Sequence, residues 1–456
     1  MRAEDAALGP VRDAVDIIHP VVHPLPAPYE ARPGSDAPEA DIPMNSFLLH
    51  HVHEGQINAL VVSSNGTRAY SGGQDGAVVV SEMIAAEPTG LADAAHLIRT
   101  ASLLRGDKPI LALALSPDES QLAVAQFSTV SIFDLKRRML VARMTRVKGR
   151  ILSLAWDPRG ELVALGRANG DVHVWVVAGD RAYAGENTTN ALERYEAGSS
   201  PIIRLAFHPS GRAFFSAERA GGVMLWRLLR TEKELGLRDD AARVDRSGRG
   251  MTALTVPGVT GAVEDMWLDR VNEELYVSTS DGLVHHWKVR GLKKLEPIQV
   301  GTAAQLNVQG IALERQGAET LRLLATSGRG QRIQFWCPSP PPESVRPVLP
   351  RADVVVVPTE PVVEERSVID PDLLAELEQA EAETPLPPAE PQVPGLVART
   401  EIFRSPLELL RTGGNGPHLW AAEKTGNLLS FNASSLLQSP IWLARAQHCT
   451  KQRPAY

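Results

Sequence analysis

Seven copies of one pattern along 456 residues predict an all-β fold. The expected architecture is a seven-bladed β-propeller of four-stranded blades with disordered or extended acidic appendages. Three observations lead there: the copies, the strand-and-turn rhythm within each, and acidic proline-rich stretches outside that rhythm.

The copies begin at Ile57, Ile110, Ile151, Ile202, Val263 and Val308, with a weaker seventh from Pro406. Each reads as an apolar run, a polar turn, a second apolar run, a Gly-containing turn and an alternating run. Short runs of this kind bounded by Gly, Asn, Asp and Pro are strands and hairpins. The third run ends at Trp175, Trp226, Trp287 and Trp336, at Phe133 and Phe431, or at Ser81 in the first copy. From Phe133 to Trp175 is 42 residues, the period of one four-stranded blade, so the longer spacings need insertions.

Closing the ring needs a strand from one chain end. SFLLHHVH (46–53) and PIWLARAQH (440–448) compete, and the N-terminal segment is the better candidate. Five segments result: an acidic Pro/Ala-rich arm (1–45), blades one to six (46–357), an acidic Pro-rich insertion (358–398), the seventh blade with closure (399–448) and a tail (449–456). Val354–Val357 is expected to supply the outer strand of blade six.

Residues 1–43 hold eight acids and three bases, and residues 358–398 hold ten acids and one base. With a total of −7, the remaining chain is mildly basic. Within 15–29 an apolar stretch suggests an extended segment along the ring, a docking motif or plain disorder. In the insertion, Asp370 as N-cap and Pro371 at the first helical position start a short helix. Leu373, Leu374 and Leu377 share one face of it, so it is either solvated or a docking helix. Residues 230–250 read as a second insertion without legible chemistry.

The quoted runs also carry a resemblance to the WD-repeat family. SGGQDGAVVV in copy one is similar to that family's second strand, turn and third strand. On that resemblance Ser71 and Asp75 match the serine and aspartate of a buried hydrogen-bond tetrad, with His51 or His53 as its histidine. Copy five keeps Ser278, Asp281 and Trp287. The Trp-Asp dipeptide is absent, so the likeness, over roughly 47–440, is one of pattern. It implies a surface for binding other proteins.

No motif for phosphate cradling, zinc hydrolysis or a serine nucleophile occurs, and no catalytic, cofactor or metal residue is assigned. His50, His51 and His53 cluster, but a strand with one structural histidine explains them better than a metal. Of the polar residues on the inner strands, Glu264 and Asp265 alternate in side, so at most one faces the channel. A propeller enzyme or small-molecule binder using that channel is the alternative reading.

Near the turn glycines stand Arg167, Arg219, Arg329 and Lys424, a broken positive arc on one face, or simply solvated turns. The acidic insertion, taken to leave blade six toward blade seven, is expected on that face, folding over the arc. Otherwise the arc recruits a similar helix from a partner.

Cys337 and Cys449 are too few for a disulfide framework and fit a reducing compartment. No apolar stretch is long enough to cross a membrane, and no signal peptide opens the chain. The negative total charge and missing aromatic–basic interleaving argue against nucleic acid. Abundant arginine and alanine hint at a GC-rich, bacterial source. The expectation is a non-enzymatic, cytoplasmic interaction scaffold, a subunit or adaptor of a larger assembly.

Overall fold

A computed structural model describes residues 41–438 and 442. Excepted are 43–45, 86–95, 145–148, 178–192, 197, 229–252, 291–292, 296–297, 300–304, 315–319, 329–330, 339–395, 401–402, 404 and 415. Outside the described residues fall Arg329, the leucines of the expected helix (Leu373, Leu374, Leu377), the 15–29 stretch, the 230–250 insertion and the C-terminal tail.

Seven antiparallel sheets form a ring. Their inner strands are Ile57–Val62, Ile110–Leu115, Ile151–Trp156, Ile202–Phe207, Val263–Asp269, Gln305–Glu314 and Leu407–Thr412. Each lies beside the next, and the seventh returns to the first. All seven have a register shift just after their first residue, where two residues face one on the second strand. Such a bulge bends the strand and sharpens its twist.

The antiparallel order gives the ring two faces. On the upper face the inner strands begin and the second-to-third-strand turns lie. On the lower face lie the first-to-second hairpins and the third-to-fourth connections.

Apolar clusters fill the seams between blades. At two seams the first residue of an inner strand packs against a glycine in the preceding blade's second strand, Ile110 on Gly72 and Ile202 on Gly166. A Cβ on Gly166 would stand 2.6 Å from Ile202 Cγ2 and 2.2 Å from Ser153 Oγ. Here the repeat requires glycine for close approach.

Leu48–His51 pairs with the third strand of blade seven, Leu48 opposite Ser430 and His51 opposite Asn427. The N-terminal segment therefore supplies the outer strand of the last blade, as expected. Phe47 anchors it, stacked on Phe431 at 4.8 Å and edge-on to Phe403 at 5.3 Å. Just before it, Asp41–Ile42 adds a parallel fifth strand to blade six.

Two expectations need correction. The outer strand of blade six is Leu396–Thr400, not Val354–Val357. The β-branched run had strand propensity, but the strand that pairs lies beyond the acidic segment. The long insertion consequently sits inside blade six, between its third and fourth strands. Trp336 is opposite Leu396, so both ends of the insertion meet the ring on the lower face, not on the face of the positive arc.

Cys337, buried at the end of that third strand, is disulfide-bonded. This departs from the expected pair of thiols. Cys449, the other cysteine of the sequence, lies outside the described residues.

Candidate functional site

The upper face is positioned by blade one's buried polar circuit. His53, 1% exposed, has Nδ1 at 3.0 Å from Asp75 Oδ1 and Nε2 at 2.8 Å from Ser71 Oγ. Asp75 also accepts the backbone N–H groups of Glu54 at 3.1 Å and Ala77 at 3.0 Å. The circuit ties the chain entering blade one to the turn above its second strand. Burial lowers the His53 pKa, only partly offset by Asp75. Burial also works against the Asp75 carboxylate, but the Ala77 N–H, His53 and the Glu54 N–H together hold it below the usual range. His51 instead meets Asn427 Oδ1 at 3.0 Å on the closing strand, which resolves the choice between the two histidines.

Blade five solves the same problem differently. Asp281 accepts from Thr279 and, at 2.9 Å, from Thr260, whose hydroxyl lies 3.2 Å from His285 Nε2. Trp287 donates to the Pro257 carbonyl at 3.1 Å, and the Ser278 hydroxyl is buried without a hydrogen-bond partner among the described residues. Ser278, Asp281 and Trp287 are thus near one another in the blade but not one circuit. Tryptophan-to-hydroxyl bonds appear where sequence reading did not look for them, at Trp226–Ser216 (2.8 Å) and Trp336–Thr326 (3.0 Å).

The positive arc is narrower than the sequence suggested. Arg219 and Lys424 are exposed on upper-face turns. Arg167 is not available, since it is 5% exposed and donates to Asp171 at 2.8 Å and approaches His173 at 3.0 Å. Its strand-end position turns it into the sheet rather than toward solvent.

Between these cations stands a residue that sequence reading missed. Phe127 occupies blade two's upper turn with φ +52° and is 52% exposed. Glycine holds the left-handed turn position in blades one, three, four, five and seven. Phe127 instead opens a shorter, two-residue turn, and a bulky left-handed side chain there is strained and unusual. The missing glycine in that copy was the available signal.

The channel holds the other concentration of charge. Asp265 is 0% exposed in blade five and accepts from Arg204 of blade four, from Arg411 Nη1 of blade seven at 3.1 Å and from the Val308 N–H of blade six at 3.2 Å. Asn307 fills the remaining corner, taking the Leu410 N–H at 3.2 Å and donating to Ser327 Oγ at 3.1 Å. Burial opposes the Asp265 charge, but Arg411 and Arg204 hold its pKa below the usual range. Glu264, the residue before it at the strand's bulge, is half-buried. Every acceptor position described on Asp265 serves a seam between blades, so this is a cross-ring brace rather than an acid–base pair. Arg411 and Asn307 were not read from sequence as members of it.

A second network braces blades five and six near the lower face. Arg322 donates to Asp269 at 2.7 Å and to Glu274 at 2.9 Å, while Tyr276 donates to Glu274 at 2.6 Å and Lys288 pairs with it. Burial opposes the Glu274 charge, yet Lys288, Tyr276 and Arg322 keep its pKa down at about 2. Among the described residues no cluster of His, Cys, Asp and Glu could hold a metal, and no helix is long and apolar enough to cross a membrane.

Residues 45–80 match the family model "WD domain, G-beta repeat". That stretch runs from the closing strand into the third strand of blade one and contains His53, Ser71 and Asp75. The chain is also similar to "Cross-pathway control WD-repeat protein 2" of Flammulina velutipes, 32% identical over 28% of this chain and 40% of that protein. Two further relatives are "Small ribosomal subunit protein RACK1y" of Oryza sativa subsp. japonica (27%, covering 29% and 38%) and "Small ribosomal subunit protein RACK1" of Schizosaccharomyces pombe (28%, covering 28% and 40%). The chain thus matches about two fifths of these relatives' length. They are fungal and plant proteins, and they give the expectation of a bacterial source no support.

Proposed function

We propose that this WD-repeat β-propeller is a non-enzymatic protein-interaction scaffold, a subunit or adaptor of a larger assembly, and that its upper face receives a protein partner. One observation carries the reading: a strained, exposed Phe127 shares a rigid face with exposed Arg219 and Lys424. Aromatic and arginine side chains are the usual anchors of protein interfaces, and variable loops on a rigid scaffold are the usual place for recognition. The partner class is a protein segment with apolar and acidic side chains. Two relatives are named for the small ribosomal subunit, itself a large assembly, which agrees with a subunit role.

The reading keeps the protein in the cytoplasm, as the low cysteine content suggested, with the Cys337 disulfide as the feature that argues against a reducing compartment. The channel alternative draws less support, because Arg204, Asp265 and Arg411 are engaged with one another.

The test is affinity purification of the full chain and of a Phe127→Asp, Arg219→Glu, Lys424→Glu variant, with partners read by mass spectrometry. Truncating or opposing interface anchors costs about 2 kcal/mol or more each, so stable partners should be lost from the variant. Identical partner sets from both proteins would move the binding site off this face.

A further inference from the structure

We propose that the lower face of blades two to five is the docking surface for the acidic part of the chain's own insertion, residues 358–395. This is independent of the upper-face reading above.

The lower face collects cations that seven separate turns gave no reason to group. Lys136, Arg137 and Arg138 form the third-to-fourth connection of blade two and are exposed. In blade four Arg212 sits on the hairpin and Arg227 ends the third strand opposite Ala213, both exposed. Arg290 is exposed at the foot of blade five. Arg137 lies 3.9 Å from Asp134 and is itself 75% exposed. Among the described residues the other five have no carboxylate partner. Among the described residues, the exposed acids of the hairpin tips and connections on this face are Asp118 and Glu273. The upper face, by contrast, mixes Arg105, Lys108 and Arg150 with exposed Glu54, Asp107 and Asp281.

The insertion supplies the complementary charge, ten acids against one base. It also starts and ends on this face, after Trp336 and before Leu396. The roughly 20 residues between Cys337 and position 358 can extend on the order of 65 Å, enough to carry the acids to neighbouring blades. Exposed ion pairs contribute about 1 kcal/mol or less each, so several must act together with apolar contact. Met139, 50% exposed beside Arg138, offers that contact to the insertion's leucines.

Zero-length carbodiimide crosslinking of the full chain tests this, because the lysines report by face. Lys136 and Lys293 lie on the lower side, Lys108 and Lys424 on the upper. In the monomer fraction, carboxylates of 358–395 should couple to Lys136 or Lys293. Coupling should drop at least about fivefold in 1 M salt, where screening acts over about 3 Å. It should drop similarly in an Arg138→Glu, Arg212→Glu variant that melts at the wild-type temperature. Coupling to Lys108 or Lys424, coupling to none of the four, or insensitivity to both salt and charge reversal would each overturn the proposal.

Discussion

His286 shows how one side chain can set a pH dependence. It is 6% exposed, stacked on Tyr276 at 5.4 Å, and its Nδ1 has no hydrogen-bond partner among the described residues. Burial lowers its pKa from 6.5 to about 4. The unfolded chain therefore takes up the proton first, and stability falls as pH drops from about 6.5 through about 4. At roughly 1.4 kcal/mol per unit of displacement, the loss at pH 4 is about 2–3 kcal/mol. His286→Phe keeps the stacking and removes the titration, so urea denaturation across this range should show a shallower acid slope; an unchanged slope would reject the assignment. Asp265 is a harsher case, since its loss leaves Arg204 and Arg411 without their shared countercharge. Asp265→Asn should cost about 3–5 kcal/mol, read as a lower urea midpoint. Neither role was legible in sequence. Arg411 meets Asp265 across 146 residues of chain, and no periodicity links two positions that only ring geometry brings together. The blade-one circuit was legible, because serine, turn and aspartate lie within a few residues of one another.

At the level of strands, the repeat rhythm located all seven inner strands because apolar alternation and turn residues are local signals. Pairing is not local, so strand propensity in a valine run does not say whether it pairs, and Leu396–Thr400 supplies the outer strand instead. The inner-strand bulge was also invisible, since it alters register without altering composition. Its consequence is close seam packing, and Gly166 is the sharpest point of that. Gly166→Val would drive a side chain into Ile202 and Ser153, costing about 1–3 kcal/mol or more and loosening blade three from blade four. Calorimetry should show a lower, broader transition; a wild-type melting curve would mean that the seam can relax. The closing strand is equally exposed to test. Removing residues 1–52 leaves Asn427–Asn432 as a bare edge and takes away the Phe47 stack, so soluble oligomers should appear on size exclusion. A monodisperse monomer would contradict this.

For the whole molecule, the ring is a frame whose two faces differ in charge and in what reaches them. An exposed aromatic and a mixture of cations and acids mark the upper face, while grouped cations and the insertion's two ends mark the lower. The sequence showed that the body was basic and the appendages acidic, but which face received which depended on the pairing of a single strand. Thiol alkylation in fresh lysate gives a direct check on surroundings: Cys337 should resist labelling until reductant is added, and prompt labelling would mean its bond is not kept in the cell. One last consequence concerns synthesis. Leu48–His51 is synthesised before blade one, yet its partner Asn427–Asn432 follows all six other blades. Until that partner exists the opening strand has no place to go, and six blades can form while the ring is still open. Chain order and ring order are out of step by one strand, so the native ring can close only once blade seven has been made.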